Sequence, residues 1–174
     1  GVGIATRLLT YITDGKKTYE ATISLGKSTH TDDKEGDLTF TADQAVVSKI
    51  SDDQIKNELA KFIGDIKQRP SSVSAIKIDG KTAHARVRAG ESVEIAEREI
   101  TIYELITKDI RHTADAIEVE ITVTCSAGTY IRAIARDLGD KLKIGGHLIS
   151  LRRTLVSPFS IEQCQSVKHA ELIP

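Results

Sequence analysis

The sequence has no tryptophan and no methionine, and only 4% of its 174 residues are aromatic. A core of any size must therefore be aliphatic, made of Ile, Leu, Val and Ala, and the 40% hydrophobic content is enough to build one. Cysteine is almost as scarce. Cys125 and Cys164 have no C-x-x-C spacing and no histidine at ligand spacing, so neither a disulfide framework nor a zinc site is expected, and Cys125 reads as a small buried residue. No apolar run approaches the roughly 18 residues of a membrane-spanning helix, and no secretion signal is visible. A reduced, cytoplasmic protein is the expectation. The sequence has no G-x-x-x-x-G-K-[ST], no G-x-G-x-x-G after a strand and no G-x-S-x-G, which removes the usual nucleotide-cofactor and serine-hydrolase readings. The five histidines, His30, His84, His112, His147 and His169, stand singly, and His84 is expected to be exposed. The polar run 28–37 does not match a calcium loop, lacking the glycine and glutamate that the spacing demands. No metal site is expected.

The formal charge of −1 does not announce a nucleic-acid binder. It averages over unlike halves, however. Between Lys67 and Arg88 stand Lys67, Arg69, Lys77, Lys81, Arg86 and Arg88 against Asp79 alone, while 32–37 and 52–58 are acidic. One side of the molecule could follow a phosphate backbone.

The most informative stretch is 117–139. Ile117, Val119, Ile121, Val123 and Cys125 alternate with polar residues, the mark of a half-buried strand. Ser126 to Thr129 is a turn of small residues, where Gly128 would admit a close backbone or an anion. Ile131, Ile134, Ala135, Leu138 and Leu142 then mark one face of a helix, with Arg132 in its first turn. A guanidinium at a strand-to-helix turn can grip a carboxylate or phosphate with a forked pair of donors. Taken alone, the pattern reads better as an ordinary corner with a surface arginine.

Elsewhere the patterns predict a helix over 5–12 and a strand over 18–25 with Tyr19 on its half-buried side. Next come a polar loop, a short helix over 41–50, and a helix capped by the box Ser51-Asp52-Asp53-Gln54 that stops at Gly64. An extended loop follows at 68–72. A strand begins at Val73 and turns at Asp79-Gly80, and a helix at 82–89 is closed by Gly90. Strands are predicted at 92–95, 99–110 (long and bulged) and 147–156, with a last helix over 161–169. Strands that follow one another directly imply an α+β fold: a mixed, mainly antiparallel sheet flanked by helices.

With these elements in order, the residues resemble the TruB family of pseudouridine synthases, enzymes that modify the T-loop uridine of tRNA. The resemblance is carried by GVGIATRLLTYI at 1–12, KKTYEATISLG at 16–26, STHTDDKEG at 28–36 and RPSSVSAIKIDGKTAHARVRAG at 69–90. CSAGTYIRAIARDLG at 125–139 and HLISLRRTLVSPF at 147–159 complete it. It implies a pseudouridine synthase-like fold, tRNA (the T-arm stem-loop) as partner, no cofactor and a monomer. It also implies roles. Tyr19 would stack on a flipped-out uracil, and Arg132 would hold the catalytic aspartate ionised. Tyr130 and Leu151 would line the base pocket. Lys77 and basic neighbours including Arg86 would contact the RNA. Asp33 matches the last aspartate of the family's polar loop and would be structural or near the RNA.

The sequence also departs from the family. The G-x-L-D-P-x-A-x-G loop that carries the nucleophilic aspartate does not occur in these residues and would lie just before Gly1. His30 replaces the first aspartate of the polar loop, and His84 stands where a tyrosine is usual. The expectation is an incomplete catalytic domain over 1–174, without the RNA-binding C-terminal extension and inactive alone. Two alternatives stay open: a non-catalytic RNA-binding or RNA-folding module, and a guide-RNA-dependent synthase of the same family.

Overall fold

The computed structural model describes residues 6–7, 9–74, 76–78, 80–89, 91 and 95–164. In chain order these form α1 (Leu9–Thr13), β1 (Lys17–Leu25), β2 (Lys27–Thr29), β3 (Leu38–Thr41), α2 (Gln44–Val47), α3 (Asp52–Ala60) and β4 (Gly64–Gln68). They continue with β5 (Lys77–Ile78), β6 (Lys81–Thr82), α4 (Ala83–Arg88), β7 (Arg98–His112), β8 (Ile117–Cys125), α5 (Ile131–Leu142), β9 (Gly146–Val156) and β10 (Phe159–Ser160). A 3-10 turn, Ile161–Gln163, follows.

Six strands make the main sheet in the order β10-β9-β1-β8-β7-β4, with β2-β3 and β5-β6 as separate two-stranded hairpins. Every ladder is antiparallel. An isolated bridge from Asp33 to Leu148 is the one parallel pairing among the described residues. The fold is α+β, as the pattern of directly joined strands implies. β8 realises its alternation along its whole length, with Ile117, Val119, Ile121, Val123 and Cys125 all at 1% exposure or less. Its register aligns them with Leu25, Ile23, Ala21, Tyr19 and Lys17 of β1. Side chains that face each other across a ladder share a face, so these residues, Lys17 at the sheet end apart, form one apolar layer.

The stripe of α5 closes on that layer with Ile131, Ile134, Ala135 and Leu138 buried, and α3 adds Ile55 and Leu59, with Phe62 just beyond its end. Fully burying each of the Ile, Leu and Phe side chains among these contributes roughly 1.5–3 kcal/mol. The box at Ser51 forms as predicted: Ser51 Oγ accepts the Gln54 N–H and Gln54 Oε1 accepts the Ser51 N–H.

Some predictions differ from the structure. The helix expected over 41–50 is only Gln44–Val47, because Leu38–Thr41 is occupied in pairing with β2. Gly64 does not simply stop a helix; it opens β4, an edge strand missed because Ile66 is its single large apolar residue. β7 supplies the pairing: its first five residues, Arg98–Ile102, bind β4. The first helix begins at Leu9, residues 73–74 are a bend, and 161–169 contributes only the 3-10 turn within the described residues. The cap at Gly90 and residues 92–94 of the strand predicted over 92–95 lie outside the described residues, and Ile95 belongs to no strand. Gly128 has φ +85 and open space around the position of a Cβ, so its dihedral, not a close approach, requires glycine.

Candidate active site

β1 and β9 pair with two register shifts, between Thr18 and Tyr19 and between Thr22 and Ile23. Bulges re-aim side chains, and these two bracket the block in which Tyr19 faces Arg153 and Ala21 faces Leu151. Tyr19 is half-buried, and Arg153 stands opposite it on β9. Burial raises the phenol's pKa above its ordinary value and the Arg153 contact only partly opposes it, so the ring stays neutral. Beside it Leu151 leaves 46% of its surface exposed. A neutral aromatic ring next to an exposed aliphatic side chain suits the face of a base.

This block lies two residues in from the Lys17–Cys125 pair, the sheet end from which the 126–129 turn leads into α5. Arg132 and Arg136 stand one turn apart on that helix and reach in the same direction. Arg132 Nη1 donates to Asp33 Oδ2 at 2.8 Å and to the Thr31 carbonyl at 3.2 Å, and its Nη2 donates to the Val73 carbonyl at 2.9 Å. Arg136 Nη1 donates to Asp32 Oδ2 at 3.2 Å and its Nη2 to the Arg69 carbonyl at 2.7 Å. Ser71 Oγ donates to the Thr31 carbonyl at 3.2 Å. Two arginines thus pin the polar loop and the extended 69–73 segment against one helix.

The neighbouring aspartates respond in opposite ways. Burial works against ionisation of Asp33, but donors from Thr31, the Glu35 N–H and Arg132 outweigh it, and its carboxyl titrates below the usual range. Asp32, more deeply placed and in the left-handed region at φ +60, is pushed up by burial despite Arg136 and Ser71. Burial likewise raises Asp137, which Arg136 Nε contacts at 2.8 Å.

Of the residues singled out from the sequence, Tyr19 and Leu151 come together on the sheet, while Asp33 and Arg132 meet directly. Tyr130 is the half-buried N-cap of α5. Lys77 belongs to β5, and its side chain lies outside the described residues. Arg86, on α4, pairs with Glu91 at 3.2 Å. His84 is not exposed as expected: its ring nitrogens contact the Ser74 carbonyl at 3.1 Å and Thr82 Oγ1 at 3.3 Å. Sequence reasoning missed Arg136, Asp32, Arg153 and Gln68. The four-residue spacing of Arg132 and Arg136 was a visible signal; nothing local marks Gln68.

Residues 1–131 match the family model described as TruB family pseudouridylate synthase (N terminal domain). The chain belongs to the TruB family. Residues 132–173 match a second model, tRNA pseudouridylate synthase B C-terminal domain. The boundary between the two models falls inside one packed unit, since α5 covers the sheet and β9 pairs with β1. Relatives named tRNA pseudouridine synthase B are 48% identical over 170 residues in Paenarthrobacter aurescens (strain TC1) and 45% identical over 176 residues in Corynebacterium jeikeium (strain K411). These alignments cover 97% and 100% of this chain but 54% and 57% of those proteins, so the chain spans about half the length of the curated relatives it matches. Among solved structures, a chain of "Crystal Structure of a Cbf5-Nop10-Gar1 Complex" superposes with a TM-score of 0.60 at 25% identity, over 90% of this TruB-family chain and 35% of that one.

Proposed function

We propose that this chain forms the uridine-holding part of a tRNA pseudouridine synthase that isomerises the T-loop uridine, with the nucleophilic aspartate supplied from outside these 174 residues. The observation that carries the proposal is the neutral Tyr19 ring beside exposed Leu151, at the sheet end where α5 begins with Arg132. Three of the five guanidinium N–H donors of Arg132 are directed at Asp33, Thr31 and Val73, which fixes its plane. Two remain to hold a second carboxylate ionised. In this reading the uridine is flipped out of the T-loop and stacks on Tyr19. The carboxylate attacks the flipped uridine, the N1–C1′ bond breaks, the base turns, C5 bonds to C1′, and the carboxylate is released again. C5 gives up its proton and N1 gains one, so substrate and product are isomers and no cofactor takes part. Tyr130 and Leu151 line the base pocket, and Lys77 and Arg86 lie toward the RNA arm.

The test is to incubate the full-length protein with a T-arm stem-loop and assay pseudouridine. Product is expected, with turnover reduced on the order of 100-fold or more by Arg132→Ala, which misplaces the reacting carboxylate. The 174 residues alone are expected to yield none. RNA binding without product would favour the non-catalytic RNA-binding module. Turnover by the 174 residues alone would place the nucleophile within them. The identities of 48% and 45% favour the stand-alone tRNA enzyme over a guide-RNA-dependent one.

A further inference from the structure

Gln68 is the last residue of β4 and is only 2% exposed. A buried carboxamide is costly unless both its ends are bonded. Both are, and to the same residue. Gln68 Oε1 accepts the backbone N–H of Tyr130 at 2.8 Å, and Gln68 Nε2 donates to the backbone carbonyl of Tyr130 at 3.1 Å. The side chain therefore imitates one rung of a β-ladder, across 62 residues of sequence.

The peptide that it grips has a particular position. Tyr130 is the N-cap of α5, extended at φ −102 and ψ 107, and no side chain caps the helix there. Its carbonyl also receives the first helical bonds, from the Ala133 N–H at 3.1 Å and the Ile134 N–H at 3.4 Å. The orientation of that one residue sets both the direction in which the Tyr130 side chain leaves the backbone and the rotation at which α5 starts. Arg132 follows two residues later. From Gln68 the chain also runs directly into the 69–73 segment, whose Arg69 and Val73 carbonyls are held by Arg136 and Arg132.

We propose that Gln68 is a positioning residue for uridine isomerisation: by clipping both polar groups of the Tyr130 backbone, it fixes the aim of Tyr130 and Arg132 without touching the uridine. This rests on the proposed function above, since it deepens that site. Glutamine suits the task because its planar amide offers one donor and one acceptor side by side. An ionised carboxylate offers acceptors only and turns a lone pair toward the Tyr130 carbonyl, whereas a protonated carboxyl again supplies a donor beside an acceptor. Charged groups around the clip are Arg98, opposite Gln68 on β7, Arg69, the next residue in the chain, and Arg132, two residues beyond Tyr130 on α5. All three favour an ionised carboxyl, which opposes the effect of burial.

The experiment uses the full-length protein with a T-arm stem-loop and follows Gln68→Glu relative to wild type across pH. The expected result is a kcat lower by on the order of 100-fold at alkaline pH, an unchanged KM, and recovery toward wild type as the pH falls and the carboxyl takes up its proton. Gln68→Met, similar in size but with neither donor nor acceptor, is expected to stay slow at every pH. A Gln68→Glu profile parallel to wild type would overturn the proposal. So would a change confined to KM, or a loss of turnover that merely follows loss of the folded fraction by circular dichroism. Hydrogen exchange separates failure of the clip from failure of the functional reading. The Tyr130 amide should exchange slowly in wild type and faster in Gln68→Met or Gln68→Glu at alkaline pH. A fast-exchanging Tyr130 amide in wild type overturns the clip whatever the activity, whereas a protected amide in a wild type that makes no pseudouridine leaves the clip standing and sinks only the functional reading.

Discussion

Asp32 and Asp33 are adjacent in sequence, each meets an arginine of α5, and yet their carboxyls titrate in opposite directions. The difference lies in donors against burial. Asp33 collects Thr31 Oγ1 at 2.6 Å, the Glu35 N–H at 3.1 Å and Arg132 at 2.8 Å. Asp32 is more deeply buried, and the desolvation of its charge outweighs the attraction of Arg136. For Asp33 the folded-state pKa lies below that of the unfolded chain. Its ionised form therefore stabilises the fold above about pH 4, and this contribution is lost as pH falls through the depressed value. Asp33→Asn should cost about 1–3 kcal/mol at pH 7, measured by urea denaturation, and the gap to wild type should narrow below about pH 4. A gap that stays constant with pH would show that the Asp33 charge contributes nothing. Asp32 has the reverse linkage: its raised pKa favours the folded state at low pH, and that advantage disappears as pH rises through the folded value.

Among the elements, the junction of α5 and β9 is the most constrained. α5 ends at Lys143 in the left-handed region, φ 59, and the chain doubles back through Gly145 at φ 71. The Ile144 and Gly145 N–H groups both return to the Gly139 carbonyl at 3.1 Å. A Cβ at Gly139 would run into the backbone of Gly145 and Gly146. Backbone cannot rotate aside as a side chain can, so Gly139→Ala should destabilise by about 3 kcal/mol or more, read as a lower urea midpoint at unchanged slope. Elements are legible in the sequence to the degree that one face of each is buried. β8 alternates because its odd-numbered residues all face α5 and α3, and α5 carries a stripe because the sheet covers one side of it. β4 is not legible. It is an edge strand of alternating charged and neutral residues, and only the excess length of β7 gives it a partner. Likewise α2 is shorter than its pattern suggests, because nothing local says that Thr41 is committed to β2.

Over the whole molecule, a net charge of −1 conceals a separation of charge. Part of the basic run surfaces on the α5 flank: Lys67 and Arg69, with Lys61, Arg136 and Lys141, border a hollow of about 430 Å³ whose lining also includes Glu97, Asp137 and Asp140. If RNA follows this side, binding of a T-arm stem-loop should weaken steeply with salt in spite of the near-neutral total. Replacing Lys67 and Arg69 with glutamate should lower the log–log slope by about 0.7–0.9 for each phosphate that is no longer neutralised. Filter binding or anisotropy across a salt series reads this directly, and an unchanged slope would move the RNA track elsewhere.

By itself the sequence determined the α+β class, the strand-turn-helix at 117–142, the capped helix at 51 and the family. Each of these is written in short-range periodicity or in motifs of contiguous residues. Tertiary structure alone decided the partners: Arg132 with Asp33 across 99 residues, Gln68 with Tyr130 across 62, and Tyr19 with Arg153 across a bulged ladder. A repeating pattern says which face of a strand or helix turns inward. It does not say which strand lies next to it or at what register, and the chemistry of this site depends on both.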